Sequence, residues 1–346
     1  MKENKTVSKL KMGLVGYGYW GPNFARIISE SDNCELKYCI DKDEGCLANV
    51  KSKYPLIFTS KDYFDILKDK EIDAVVVATP TKTHYKIAKD CILAKKHVFI
   101  EKPISYRVEE AQELVELAEE NKVKLMVGHV FLFNPAVRYI KETISQGGIG
   151  QLRHLHFQRR NLGPIREDVN VLWDLAPHDI SMALYFIGAK PFSVIASGES
   201  FLRKGVCDVV SVSLKFPNNI MVNMILSWID PVKIRDIAIV GDKKMIVFDD
   251  VSSTNKVKIF NKNAKIIKDT QDISFGQYQV LIHSGDDVLT PLIKSIEPLK
   301  EELLHFTECI INDKNPFTDG ANGLEVVEVL SAAQRSLDSN SELVTI

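Results

Sequence analysis

A glycine triplet at the first strand–helix junction constrains this chain more than any other feature. Gly16-Tyr17-Gly18-Tyr19-Trp20-Gly21 follows a strand-like stretch, Lys9 to Val15, and precedes Phe24-Ala25-Arg26-Ile27-Ile28, whose apolar spacing is helical. A strand that becomes a helix within six residues needs a sharp reversal. Gly16 is expected in the tight turn, Gly18 where bare backbone meets a pyrophosphate, and Gly21 where the helix packs closely on the sheet. The free N–H groups of the helix start would face the phosphates, and Pro22 suits a first turn that needs no donor.

The pattern then alternates. Glu35 to Ile40 reads as a strand, Glu44 to Lys53 as a short helix, and Ile57-Phe58 as a small strand. The valine run within Asp73 to Ala78 suits a strand buried on both faces. Helix Thr83–Ala94, strand His97–Ile100, helix Val108–Asn121 and strand Val123–Val127 continue the series. Such β-α-β alternation predicts a doubly wound parallel sheet.

Beyond Gly128 the grammar changes. A helix, Pro135 to Ser145, stops at Gly147-Gly148; Leu152 to Gln158 is strand-like, and a helix follows from about Leu175 to Phe186. Period-two patterns come next. Val210, Val212, Leu214 and Phe216 share one face, Pro217-Asn218-Asn219 marks a turn, and Ile220, Val222, Met224, Leu226 and Trp228 share a face of the next strand. This predicts an antiparallel hairpin. Further strands are expected at Ile234–Val240, Lys244–Phe248 and Lys256–Phe260, and closing helices near Leu299–Ile311 and Gly323–Leu337.

The expected fold class is therefore α/β. Residues 1–128 form an N-terminal Rossmann domain, and residues 129–346 form a C-terminal α+β domain with a large, mainly antiparallel open sheet that binds substrate. The last helices are free to pack back on the first domain. An open apolar sheet face needs cover, so a homodimer or homotetramer through the C-terminal sheet is expected.

Charge excludes some partners. Lys and Arg total 44 against 46 Asp and Glu, a net charge of −2, which argues against nucleic acid or an anionic membrane. The polar start, Met1-Lys2-Glu3-Asn4-Lys5, carries no signal-peptide core, and no apolar run is long enough to span a bilayer. Cys34, Cys39, Cys46, Cys91, Cys207 and Cys309 form no Cys-x-x-Cys pair, so reduced thiols in a cytoplasm are expected and no metal site is.

Asp41 ends the second strand 20 residues beyond Gly21, where a carboxylate can bond ribose hydroxyls. It would repel a 2′-phosphate, which favours NAD over NADP, although Lys42 beside it tempers that preference. Two further strand ends stand out. Thr79-Pro80-Thr81 fits a loop along the cofactor, with His84 either joining it or packing at its helix start. Glu101-Lys102-Pro103 puts an acid and an ammonium at the end of a buried strand. Lys102 could donate to a substrate hydroxyl and Glu101 could hold the nicotinamide ribose; a surface ion pair is the plain alternative.

These motifs, in this order and spacing, resemble those of the glucose–fructose oxidoreductase / inositol dehydrogenase (Gfo/Idh/MocA) family, along nearly the whole chain. Glu-Lys-Pro is the specific part, since many folds share the glycine loop. The resemblance implies NAD(P)-dependent oxidation or reduction of a carbinol on a sugar or cyclitol, with Lys102 in the active site, Glu101 on the cofactor ribose and a cis bond before Pro103.

In the second domain, Trp173-Asp174-Leu175-Ala176-Pro177-His178 places Asp174 and His178 four apart, on one helix face, with Asp174 as a candidate N-cap and Pro177 in the first turn. Oxidising a carbinol needs a base for the O–H proton, and imidazole suits neutral pH. The family's Asp-x-x-x-His motif falls on these two residues. Lys102, Asp174 and His178 are thus the expected catalytic set. Gly16, Gly18, Tyr19, Trp20, Gly21, Asp41, Thr79, Pro80, Thr81, His84, Glu101 and Lys102 are expected to line the cofactor. Arg159, Arg160, Asn161, Asn170 and Trp173 are candidates for substrate; the two arginines alternate in a strand, so at most one enters the cleft. His129, Phe131 and Asn134 could line the cleft or pack in the core.

The expected activity is hydride transfer between NAD and a ring carbinol of a pyranose. A nucleotide-linked sugar is the first choice, because Tyr19-Trp20-Gly21-Pro22 and the Trp173–His178 segment look like relatives from polysaccharide pathways that oxidise C3. A free cyclitol or sugar dehydrogenase is the alternative. A dinucleotide-binding regulator without turnover is a third reading, which an acid–base set argues against.

Overall fold

The computed structural model describes residues 9–266 and 280–346. The chain divides into two compact units, Met1–Phe133 with Glu297–Ser331 and Asn134–Ile296 with Ala332–Ile346. The first unit contains β1 (Leu10–Val15), α1 (Gly21–Ser29), β2 (Cys34–Ile40), α2 (Glu44–Lys53), β3 (Phe58–Ser60) and α3 (Phe64–Lys68). It continues with β4 (Ala74–Val77), α4 (His84–Leu93), β5 (His97–Glu101), α5 (Val108–Asn121) and β6 (Leu125–Gly128). The second unit runs from α6 (Pro135–Ser145) through β7 (Leu152–Leu162), α7 (Val171–Ile187), β8 (Ser193–Glu199), β9 (Val209–Phe216) and β10 (Ile220–Ser227). Next come β11 (Ile229–Gly241), β12 (Met245–Asp249), β13 (Val257–Ile266) and β14 (Val280–Leu289). The chain ends with α8 (Pro298–Ile311), α9 (Gly320–Asp338) and β15 (Val344–Thr345).

In the first unit six strands pair in the order β3-β2-β1-β4-β5-β6, every pair parallel. All four residues of β4 are buried, as a valine run covered on both faces requires. The strand order reverses between β1 and β4, which opens a crevice beyond their carboxyl ends, where ligands bind in such sheets. One face of the sheet is covered from two distant parts of the sequence. Phe99 of β5 meets Phe24 of α1 at 5.3 Å between ring centroids and Phe306 of α8 at 5.8 Å, both edge-on.

The second unit holds a nine-stranded sheet in the order β14-β13-β12-β11-β7-β10-β9-β8-β15. The expected hairpin is β9–β10, antiparallel, with Phe216 opposite Ile220 and left-handed backbone at Asn218 and Asn219. Its alternating apolar face is buried, Trp228 included. The β7–β10 pair is parallel, so the sheet is mixed and mostly antiparallel. Helix α3 and strands β8, β14 and β15 carry too short or too mixed a pattern to have been assigned from sequence.

Helix α7 begins at Val171, a turn earlier than its apolar spacing suggests. Asn170, not Asp174, is the N-cap: its side chain accepts the Trp173 N–H. Asp174 therefore lies within the helix, and Pro177 sits in the helix interior rather than the first turn. The helix starts where a cap is available, and tertiary burial holds it across the missing proline N–H; Ala176, Pro177, Asp179, Ile180 and Ser181 are all buried.

Burial also decides the two arginines of β7. Arg159 faces α7 and is 4% exposed; its Nε and Nη2 donate to Asp179 Oδ1 at 3.0 and 2.7 Å, and Asp179 is 2% exposed. Arg160, on the other face, is half-buried and bonds Asp230 at 2.9 Å and Gln158 at 2.8 Å. Arg159→Met takes this cation from a buried carboxylate and is expected to cost about 3–5 kcal/mol, read as a lower urea midpoint by circular dichroism. Arg160→Met is expected to move the midpoint much less, because its partner stays in reach of water.

Candidate active site

The glycine loop forms where β1 ends against β4. Gly16 has φ +100°, and a Cβ there would strike the Ala78 carbonyl oxygen. At Gly21 a Cβ would run into the Gly16 carbonyl. Both positions need glycine for close backbone approach. At Gly18 a Cβ would meet nothing within 4 Å, so the glycine leaves open space where a phosphate would approach bare backbone. Helix α1 begins here with no acidic residue in its first turn, which leaves its positive end available to an anion. Tyr19 is largely exposed and Trp20 partly so, their rings edge to face at 5.3 Å.

Asp41 braces this loop. Its Oδ2 accepts the Tyr17 N–H at 2.6 Å and its Oδ1 accepts the Asp43 N–H at 2.9 Å. A carboxylate has roughly four acceptor sites, so two backbone bonds fix its orientation and leave capacity for hydroxyl donors.

His84 ties two loops together from inside. It is 1% exposed; Nδ1 lies 2.8 Å from the Pro103 carbonyl oxygen and Nε2 lies 2.8 Å from that of Thr79. The structure thus gives His84, expected to line the cofactor, a buried role that fixes the Thr79 loop to the Glu101-Lys102-Pro103 loop. Thr83 Oγ1 bonds Thr79 Oγ1 and the Pro80 carbonyl, each at 2.8 Å; Thr81 is buried and Pro80 exposed.

The Lys102–Pro103 bond is cis. Glu101 Oε2 accepts the Lys102 N–H at 3.2 Å. Opposite Glu101 in the sheet stands Gly128, whose missing side chain makes room for the Glu101 carboxyl. Desolvation by burial pushes the Glu101 carboxyl up to about 7, against the opposing pull of Lys102. His129, next to Gly128, is buried and held down to about 3, first by burial and then by the Lys102 charge; it is a neutral core imidazole. Asn134, another cleft candidate, is the N-cap of α6.

In the second unit, α7 presents Asp174 and His178 one turn apart. Asp174 is gripped on both oxygens: Trp228 Nε1 donates to Oδ2 at 3.0 Å, and Arg166 Nη1 lies 3.4 Å from Oδ1. Arg166 is itself held by two bonds to Asp168, at 2.9 and 2.8 Å. His178 is half-buried with Nδ1 inside, and its backbone carbonyl accepts from Ser181 Oγ at 2.8 Å. Asn170 and Trp173 both donate to Gln334 Oε1, at 2.9 and 3.1 Å. Of the five substrate candidates, Arg159, Asn170 and Trp173 are therefore engaged in holding α7 and its surroundings, while Arg160 and Asn161 are half-buried at the end of β7. Trp228, Arg166 and Gln334 were not singled out from sequence. Trp228 read only as an apolar strand residue, and nothing in its spacing reveals where its N–H points.

Among the described residues no helix is long and apolar enough to cross a membrane. Residues 10–129 match the family model described as oxidoreductase family, NAD-binding Rossmann fold, and residues 137–247 match the GFO/IDH/MocA C-terminal domain. The chain is 26% identical to an uncharacterised oxidoreductase of Bacillus subtilis over 94% of this chain and 93% of that protein. It is 26% identical to the myo-inositol 2-dehydrogenase of Thermotoga maritima over 95% and 96%. It is 27% identical to the UDP-N-acetylglucosamine 3-dehydrogenase of Acidithiobacillus ferrooxidans over 74% and 76%. A solved structure of that last enzyme shares the fold, with a TM-score of 0.80 at 24% identity over 97% of this chain and 99% of that one. With a glycine loop after β1, a Glu-Lys-Pro strand end and matches in both units, the chain belongs to the Gfo/Idh/MocA family of NAD-binding oxidoreductases.

Proposed function

We propose that the protein oxidises or reduces a ring carbinol of a pyranose carried on a nucleotide, at C3, with NAD rather than NADP. The observation that carries this reading is Asp174 held on both oxygens one helical turn from His178, a fixed acid beside a titratable base. When bound, the nicotinamide supplies the hydride acceptor. His178 takes the hydroxyl proton as the carbinol becomes a carbonyl. Lys102 steadies the negative charge that develops on the carbinol oxygen. Asp174 sets the orientation of the imidazole or of a neighbouring hydroxyl. On the cofactor side, Gly16, Gly18 and Gly21 shape the pyrophosphate turn, and Asp41 and Glu101 accept from the two riboses. Tyr19 and Trp20, Thr79, Pro80 and Thr81 flank the cofactor, and Arg160 and Asn161 are the remaining candidates for the sugar or its phosphates.

The nucleotide-linked sugar is supported by the similarity to the UDP-N-acetylglucosamine 3-dehydrogenase. A free cyclitol is the second reading, favoured by the longer match to the myo-inositol 2-dehydrogenase. On either reading the protein works as a homodimer or homotetramer through its nine-stranded sheet, in the cytoplasm.

Lys102→Ala and His178→Ala are each expected to lower turnover by roughly 100- to 10,000-fold with NAD binding retained; near-normal turnover in either removes that residue from the mechanism. Thermal-shift titration separates the substrates. UDP-sugars are expected to raise the melting temperature in the presence of NAD, and stabilisation by inositols or free hexoses alone would overturn the nucleotide-sugar reading. Light scattering is expected to give two or four times the chain mass.

A further inference from the structure

Glu302 is a buried acid that the chemistry above does not use. Glu302 lies in α8, is 0% exposed, and neither carboxyl oxygen has a hydrogen-bond partner among the described residues. A carboxyl in such a place keeps its proton unless something compensates the charge.

Its position follows from one ring contact and one strand face. Phe306 is one helical turn beyond Glu302, on the same face of α8, and its ring meets Phe99. Phe99 and Glu101 are two apart on β5 and share a face of the sheet. The face of α8 that carries Glu302 and Phe306 therefore lies over the face of β5 that carries Phe99 and Glu101.

Other charged or titratable groups lie near α8, and His129 among them is buried with no hydrogen-bond partner on either ring nitrogen among the described residues. From α1 comes Arg26, bound to Glu30 and to Glu297 at the start of α8. The segment Val130–Phe133, which also packs on α8, has no charged residue, and His129 before it is neutral. On α8 itself, His305 accepts the Phe317 N–H, and Lys300 and Glu301 lie near the helix start. From β5 come Glu101 and, just beyond it, Lys102. Burial raises the Glu302 carboxyl well above the ordinary carboxylate range, and the charge on Glu101 raises it further. Lys102 beside it pulls the Glu101 carboxyl back down, and Glu302 has no such cation acting on it.

We propose that Glu302 is a positioning residue for Glu101: as a neutral acid it directs its O–H toward the Glu101 carboxylate, through one bridging water or a small side-chain rotation. The pair then holds one proton and one negative charge. This rests on the reading of Glu101 as a ligand of the nicotinamide ribose. Ionised Glu101 accepts hydroxyl donors better than the protonated acid, so NAD affinity rises with pH as Glu101 ionises, and Glu302 sets where on the pH scale that rise falls.

The test is the NAD dissociation constant of the full-length protein from pH 5.5 to 8.5, by calorimetric titration, with melting temperatures alongside. Glu302→Leu removes the donor without leaving a polar group buried. It is expected to melt at or above the wild-type temperature and yet bind NAD several-fold more weakly at pH 7, with the midpoint of its affinity curve moved up by about one pH unit. Glu302→Gln keeps an N–H donor and is expected to stay within about two-fold of wild type with the midpoint unmoved. A purely structural role would leave the midpoint in place in both variants. Glu302→Met gives the same apolar readout if leucine packs poorly. A Glu302→Leu curve that overlays wild type overturns the inference. Glu101→Gln separates the two levels: it is expected to weaken binding and flatten the pH dependence, and a Glu101→Gln protein with wild-type affinity and pH dependence overturns the ribose assignment itself.

Discussion

Two close backbone approaches underlie the first unit. The Ala78 carbonyl comes so near Gly16, and the Gly16 carbonyl so near Gly21, that a single methyl at either glycine would force the chain apart. These contacts let β1, α1 and the end of β4 meet at the point where strand order reverses. The side-chain bonds nearby depend on that meeting. Asp41 reaches the Tyr17 amide because the loop turns there, and His84 reaches both the Thr79 and Pro103 carbonyls because β4 and β5 end side by side. Asp41, Glu101, Lys102 and the glycine turn are thereby carried on backbone that has little freedom to shift.

The second unit solves a similar problem with side chains instead of backbone. Helix α7 must carry a polar pair at a fixed orientation although a proline interrupts its hydrogen-bond ladder. It is held by a buried ion pair to β7 through Arg159 and Asp179, by Gln334 bonding both Asn170 and Trp173, and by Trp228 on Asp174. Replacing Arg159, Asp179 or Gln334 would loosen the helix while leaving Asp174 and His178 themselves unchanged.

What could be read from the sequence divides along the same physical line. Element bounds were legible in places: α2, α5 and α6 span the residues expected of them, and the β9–β10 hairpin has the face and turn its alternation implies. Glycines were legible because each role depends on a missing side chain. Polar residues with buried partners were not. Arg159, Asn170 and Trp173 looked like substrate ligands because the partners that engage them, Asp179 and Gln334, are set by tertiary packing. Glu302 in Leu299-Lys300-Glu301-Glu302-Leu303 resembles any glutamate on a surface helix; only the folded chain reveals that its face points inward. The start of α7 shifted for a related reason, since Asn170 and Asp174 are both good caps and packing chose between them.

The first unit is closed by residues made more than 160 positions after its last strand. Helix α8 brings Phe306 onto Phe99, and Thr318 donates its hydroxyl to the Val127 carbonyl while its own carbonyl accepts the Val127 N–H. During synthesis, β5 and β6 therefore emerge without their cover and keep an apolar face bare until the second unit has been made. The nascent chain has a long interval in which this sheet invites wrong partners, and a fragment ending at Phe133, though it contains Gly16, Gly18 and Gly21, would be an incomplete Rossmann domain.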